Sequence, residues 1–305
     1  MSAAMDSVTG EIIKEQSTIE VLADKHRKMM VAWVASQKRY MKSIDDLSYT
    51  EWRALILRKA KDDLGSIGAT MLSEVLNGAY HINKSTMTGI TWINKADSLA
   101  AAAASKTTGQ TAEQGIKQLM NSTYGTLVTE TTRYNAQNLT TVAVTDAIMG
   151  SASQLYKNGD MVRWINGSRT WSTTYSKSSL ETIRQARYSE DSDVIGYQWV
   201  SVLDSRTSDT CMGLSGKKFY FGTSGYKPLP PIHPNCRSTT VPIIKDTPQP
   251  DLETFSEWAA NNPDELEEAL GPTKFELYES GQLSITKFTD ARFKPMTIPE
   301  IEDQL

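Results

Sequence analysis

Apolar positions in the first third of the chain recur at helical spacing. Between residues 12 and about 41, Ile19, Leu22, Met29, Trp33 and Tyr40 step by three, four or multiples of these, with no Gly or Pro among them. That pattern predicts one long amphipathic helix. His26 lies on the stripe, and a lone histidine on an apolar face is expected to be a packed, hydrogen-bonded core residue. Ser48 with Glu51 three residues later is a capping-box start, after which Trp52, Leu55, Ile56, Leu64, Ile67, Met71, Val75 and Leu76 predict a second helix to about Asn77-Gly78. From 77 to 110 the pattern weakens. His81 and the alanine patch at 100–104 fall there, and the stretch reads as an irregular connection. Thr111 can cap a third helix, and residues 127–156 predict another that ends at Asn158-Gly159, with Asp146 as an exposed helix acid.

Beyond Gly159 the period changes to two. Met161 to Ile165, the dipeptide Asn166-Gly167 and the stretch 169–175 predict a β-hairpin, followed by a short helix over 179–187. Three further apolar runs, 197–203, 218–221 and 239–244, read as short strands. Pro248 and Pro250 mark a linker, Asn262-Pro263 starts a helix that Gly271-Pro272 stops, and 275–278 and 285–288 are short amphipathic pieces. The predicted fold class is α+β, mainly helical: a helical region at 1–157, a small α+β module at 158–246 and a helical extension at 247–305.

Charge sharpens that division. Net charge is +1 over residues 1–150, +5 over 151–245 and −10 over 246–305, so a basic centre precedes an acidic tail. Each is expected as a solvated face, with docking to an acidic partner or nucleic acid, and to a basic protein, as the sharper reading. The longest small-apolar run falls far short of a membrane span, and the N-terminus has neither a basic nor an apolar signal region, so a cytosolic chain is expected. The only two cysteines, Cys211 and Cys236, and one of three histidines, His233, fall within 200–244. Cys211 is expected in a Gly-rich turn, and Pro234 and Asn235 favour a tight turn that sets His233 beside Cys236.

Read in order, Trp199 to Thr207, then Cys211 with Leu214 and Gly216, then Pro230 to Arg237 and Val241-Pro242 resemble the head-morphogenesis family of tailed phages, which includes the Mu F-type head proteins. Weaker elements are Thr145-Asp146 and Leu270 to Gly281, so the resemblance covers about 138–289. Two features depart from the family: Ser208 stands where many members have a second cysteine, and the segment 158–192 is longer than usual.

The resemblance implies a minor head protein of the virion, assembled in the host cytoplasm and placed at the portal vertex. Its implied partners are the portal protein, the major capsid or scaffolding protein, and DNA without sequence specificity. Asp204, Arg206, Cys211, Gly216, His233, Asn235, Cys236 and Arg237 are then structural motif residues, with an Asp204–Arg237 charge-assisted bond expected across the loop. No catalytic residue and no cofactor is expected. Cys211, His233 and Cys236 offer zinc only three ligands of the four it prefers, so a metal-free, hydrogen-bonded loop is the expected state, with zinc or a Cys211–Cys236 disulfide as alternatives. A thiol- or zinc-dependent hydrolase or transferase, and an ejected DNA-binding protein, stay open as rival functions.

Overall fold

A computed structural model describes residues 2–86, 94–248 and 252–303, the side chains of 2–9 and 86 excepted. Helix makes up 65% and strand 8% of it, which is the mainly helical α+β class. Pro250 and residues 87–93 of the expected connection lie outside the described residues.

The chain divides into two compact units, one of them formed by Ser17–Ser85 with Asn94–Ile183. Helices α1 (Ser2–Ser43) and α2 (Tyr49–Thr86) follow the predicted stripes: Met30, Trp33, Val34, Met41, Trp52, Ile56, Leu64, Met71 and Val75 are buried in one core. His26 is fully buried on the α1 stripe, as expected, with Nδ1 2.8 Å from Ser172 Oγ and Nε2 3.2 Å from Glu74 Oε2. Helix α2 does not stop at Asn77-Gly78. Gly78 instead faces α1, where an added Cβ would stand 3.3 Å from Leu22 Cδ2, and the stripe continues through Ala79 and Ile82. His81 is therefore an exposed helical residue rather than a loop residue.

The expected irregular connection contains α3 (Lys95–Ala104), capped by the Asn94 side chain, and a small hairpin, β1 (Lys106–Thr107) with β2 (Gln110–Thr111). Thr108 and Gly109 turn that hairpin with φ of 51° and 81°, the left-handed pair a two-residue loop demands. Thr111 then caps α4 (Ala112–Ala136) in a complete capping box with Gln114.

The long helix expected over 127–156 is broken. Asn138 adopts φ 55°, and Thr140 opens α5 (Thr141–Met149) by accepting from Ala143 N–H. Asp146 is half exposed, as expected, and pairs with Lys38 at 2.9 Å and Lys42 at 3.0 Å.

The largest correction is α6 (Val162–Glu190), which replaces both the hairpin and the short helix. Ile165, Ser168, Trp171 and Tyr175 are buried at helical spacing, and every residue from 171 to 181 is buried. The Ser/Thr-rich stretch that reads as a return strand is a close-packing surface of small side chains. Ser178 Oγ lies 2.6 Å from Ser105 Oγ, and Asn83 Nδ2 donates to Leu180 O at 3.0 Å. Burial on most sides of the helix outweighs the local turn preference of Asn166-Gly167.

The other unit takes in Arg184–Leu305 and Met1–Gln16. Its sheet has the order β4-β3-β5, all antiparallel, with β3 (Val194–Val200) central. Between β3 and the edge strand β4 (Lys218–Tyr220) runs α7 (Asp209–Leu214), and β5 (Thr239–Ile244) pairs with β3 from Val200↔Thr239 to Val194↔Ile244 across one bulge. These strands match the predicted runs within three residues at each end.

The tail forms α8 (Phe255–Asn261), α9 (Pro263–Leu270), α10 (Pro272–Glu279) and α11 (Ile298–Glu302). Phe255, Trp258, Leu266, Ile285, Phe288 and Ile301 make a core with Met212 of α7, so the acidic segment packs on the module that carries the Cys/His loop. Lys274 bonds Asp209, and Thr210 Oγ1 donates to Phe293 O at 2.9 Å across the same contact.

Candidate functional site

Central strand β3 delivers Trp199 and Ser201 to the base of the site. Trp199 is fully buried, its Nε1 donates to Ser201 Oγ at 3.0 Å, and Ser201 Oγ donates to Cys211 O at 2.6 Å. The chain then turns on Asp204, whose Oδ1 accepts from the Arg206 N–H at 2.9 Å, while Thr207 Oγ1 donates to Val202 O at 2.6 Å. Both Asp204 oxygens accept from Arg237, one of them at 2.6 Å from Nη1, which is the charge-assisted bond expected from the sequence. Burial alone would raise the Asp204 carboxyl, but the bonds from Arg237 and from the Arg206 backbone outweigh it and hold it well below the usual carboxylate range.

Ser208 caps α7 by accepting from Cys211 N–H at 3.3 Å. Cys211 therefore stands in the first turn of a short helix rather than in a turn. The stretch carries a glycine, Gly213, but the Ser208 cap and the acidic Asp209 behind it start a helix that Gly213 does not interrupt. Gly216 follows with φ 81°, which lets its N–H reach back to Trp199 O at 2.9 Å. Across the site, His233 to Cys236 close the tight turn the sequence predicts: Cys236 N–H donates to His233 O at 3.2 Å, and Asn235 takes the left-handed position at φ 59°.

These two segments bring Cys211 Sγ to 3.2 Å from His233 Nε2 and 3.8 Å from Cys236 Sγ, with Ser208 Oγ 2.9 Å from the same ring nitrogen. His233 Nδ1 lies 2.8 Å from Pro234 O. A carbonyl only accepts, so Nδ1 carries a proton, and Nε2 faces Ser208 and Cys211. Both thiols are buried and free. The hydrogen bond from Cys236, with lesser help from Ser208 and Ser238, brings the Cys211 thiol down to about 7, and the same contact together with burial pushes Cys236 well up. Beside them lies a cleft of about 20 Å³, lined by Ser208, Cys211, His233 and Arg237 among others. That is room for one water.

All eight motif residues thus fall in one cluster, although Arg206 is exposed and Asn235 takes the left-handed position of the turn. Sequence reading missed Ser201 and Ser238, whose hydroxyls lie 3.2 Å apart beneath Cys211. They come from the ends of separate strand segments, and no spacing rule links them.

Residues 100–241 match the family described as "Phage Mu protein F like protein", a segment running from the middle of α3 to the middle of β5. The match holds Thr145-Asp146 and the whole Cys/His loop and ends short of Leu270 to Gly281. That segment, a little under half of the chain, is similar to the phage Mu F-like family and supports the head-morphogenesis resemblance read from the sequence. No curated protein and no solved structure gives a significant match.

Proposed function

We propose that the protein is a minor head protein of a tailed bacteriophage, carried in the virion head at the portal vertex and acting in head assembly in the host cytoplasm. The observation that carries this reading is the family match over residues 100–241. The portal protein is the first partner, the major capsid or scaffolding protein the second, and packaged or ejected DNA a non-specific contact. The chain's own make-up supports such a role. The long helices α1 and α2 each keep an exposed polar face beside the buried stripe, and the acidic tail is separate in sequence from the basic centre. Among the described residues no helix is long and apolar enough to cross a membrane.

A non-enzymatic role is part of the proposal. A nucleophilic thiol must meet its substrate, whereas Cys211 and Cys236 are 3% and 0% exposed and the cleft beside them has room for only one water. Co-expression with the portal protein of the same phage, followed by affinity capture and imaging, tests the proposal. Stoichiometric capture, with density for this chain at the vertex, is the expected result. Failure to co-purify, together with normal prohead assembly when the gene is deleted, would overturn it.

A further inference from the structure

We propose that Cys211, His233 and Cys236 form a zinc site, with one water held against Ser208 as fourth ligand. The three ligand atoms lie within 4.8 Å of one another, donated by α7 and by the His233–Cys236 turn. The two sulfurs are spaced as in a coordination shell, and His233 Nε2, 3.2 Å from Cys211 Sγ, would move out by a few tenths of an ångström to join them. Two thiolates each about 2.3 Å from a tetrahedral zinc stand about 3.8 Å apart, and the Sγ–Sγ distance is 3.8 Å, whereas a disulfide needs about 2.05 Å.

The surroundings are those of a ligand set as well. His233 already donates Nδ1–H to the Pro234 carbonyl, which is the outer bond that orients a metal-binding imidazole and leaves Nε2 facing the thiols. The one-water cleft opens on Ser208, Cys211 and His233, beside two of the three protein ligands. Three ligands counted along the sequence look like an incomplete site; in space the Ser208 hydroxyl, 2.9 Å from His233 Nε2, marks where the fourth belongs.

Binding releases the two thiol protons to solvent and forms two Zn–S bonds and one Zn–N bond. The metal would tie α7 to the turn 25 residues away, beside the Asp204–Arg237 pair, making a structural staple of the head module. This inference stands apart from the portal reading, since it concerns only the loop's own chemistry.

Elemental analysis of the full-length protein, purified under reducing conditions with zinc supplied and excess metal dialysed away, provides the test, with Co²⁺ exchanged in for spectroscopy. One metal per chain is expected, with Co²⁺ bands of a tetrahedral site and thiolate charge transfer, both lost in Cys236→Ser. Ser208→Cys should tighten binding at least tenfold and add thiolate absorbance, an increase that misfolding cannot imitate. Metal below a tenth of stoichiometric in both the native protein and a folded Ser208→Cys variant would overturn the proposal. So would a Cys211–Cys236 disulfide in the reduced preparation.

Discussion

Arg237 holds Asp204 with both terminal nitrogens of its guanidinium, spanning 33 residues and joining the turn after β3 to the residue that follows the His233–Cys236 turn. Both side chains are largely withdrawn from water, at 13% and 26% exposure. A fork of this kind depends on planar geometry as well as charge. Arg237→Lys keeps the charge and loses the fork, and should lower stability by about 1–2 kcal/mol. Asp204→Asn leaves the guanidinium without its counter-charge and should cost about 2–3 kcal/mol. Urea midpoints of the two variants check both values.

The same pair sets an acid limit. Because the Asp204 carboxyl is held below its unfolded value of about 3.9, its stabilising contribution is complete above about pH 4 and is lost as pH falls toward the folded value. Stability measured from pH 6 to pH 2 should therefore fall more steeply in the native protein than in Asp204→Asn. Parallel curves would show that the pair contributes nothing to acid unfolding.

His26 works in a higher window. Burial lowers its tendency to protonate, and Glu74, 3.2 Å away, opposes that shift only in part while Lys25 reinforces it. The ring is therefore a neutral hydrogen-bonded group rather than half of an ion pair. A histidine held neutral contributes fully above its unfolded value of about 6.5 and loses stability as pH falls below it. The Tm of the native protein should drop between pH 7 and pH 5, and His26→Gln, although less stable overall, should show a flatter profile.

Asn166 distinguishes helix from hairpin by sign. It is exposed in the interior of α6, where alanine is the better helix former by about 0.5 kcal/mol, so Asn166→Ala should raise stability by about that amount. At the first position of an Asn-Gly hairpin turn the same change would be destabilising, because that position needs a positive φ. Thermal melts of the two proteins suffice.

Sequence alone determined the parts of this protein whose signals are local. Apolar stripes fixed α1 from residue 12 onward, though the helix begins at Ser2, and the start of α2; the Thr111 capping box fixed the start of α4, alternation and Pro/Gly punctuation fixed β3 to β5 within a few residues, and the turn at Pro234-Asn235 fixed the approach of His233 to Cys236. The Asp204–Arg237 bond was legible because a carboxylate and a guanidinium at the two ends of a loop have an obvious use for each other.

Tertiary structure decided the rest, wherever long-range packing outweighed a local preference. Asn166-Gly167 is a turn signal in isolation, yet burial of Ile165, Trp171, Tyr175 and Ile183 in the surrounding cores holds it in a helix. Gly78 reads as a stop and serves as a contact for Leu22. Ser208 reads as a missing ligand, and only the fold shows its hydroxyl beside the Cys/His cluster, 2.9 Å from His233 Nε2. Gly78 and Ser208 take their meaning from a residue on another element, and Asn166-Gly167 from the packing of the whole helix around it, relations that no spacing along the chain encodes.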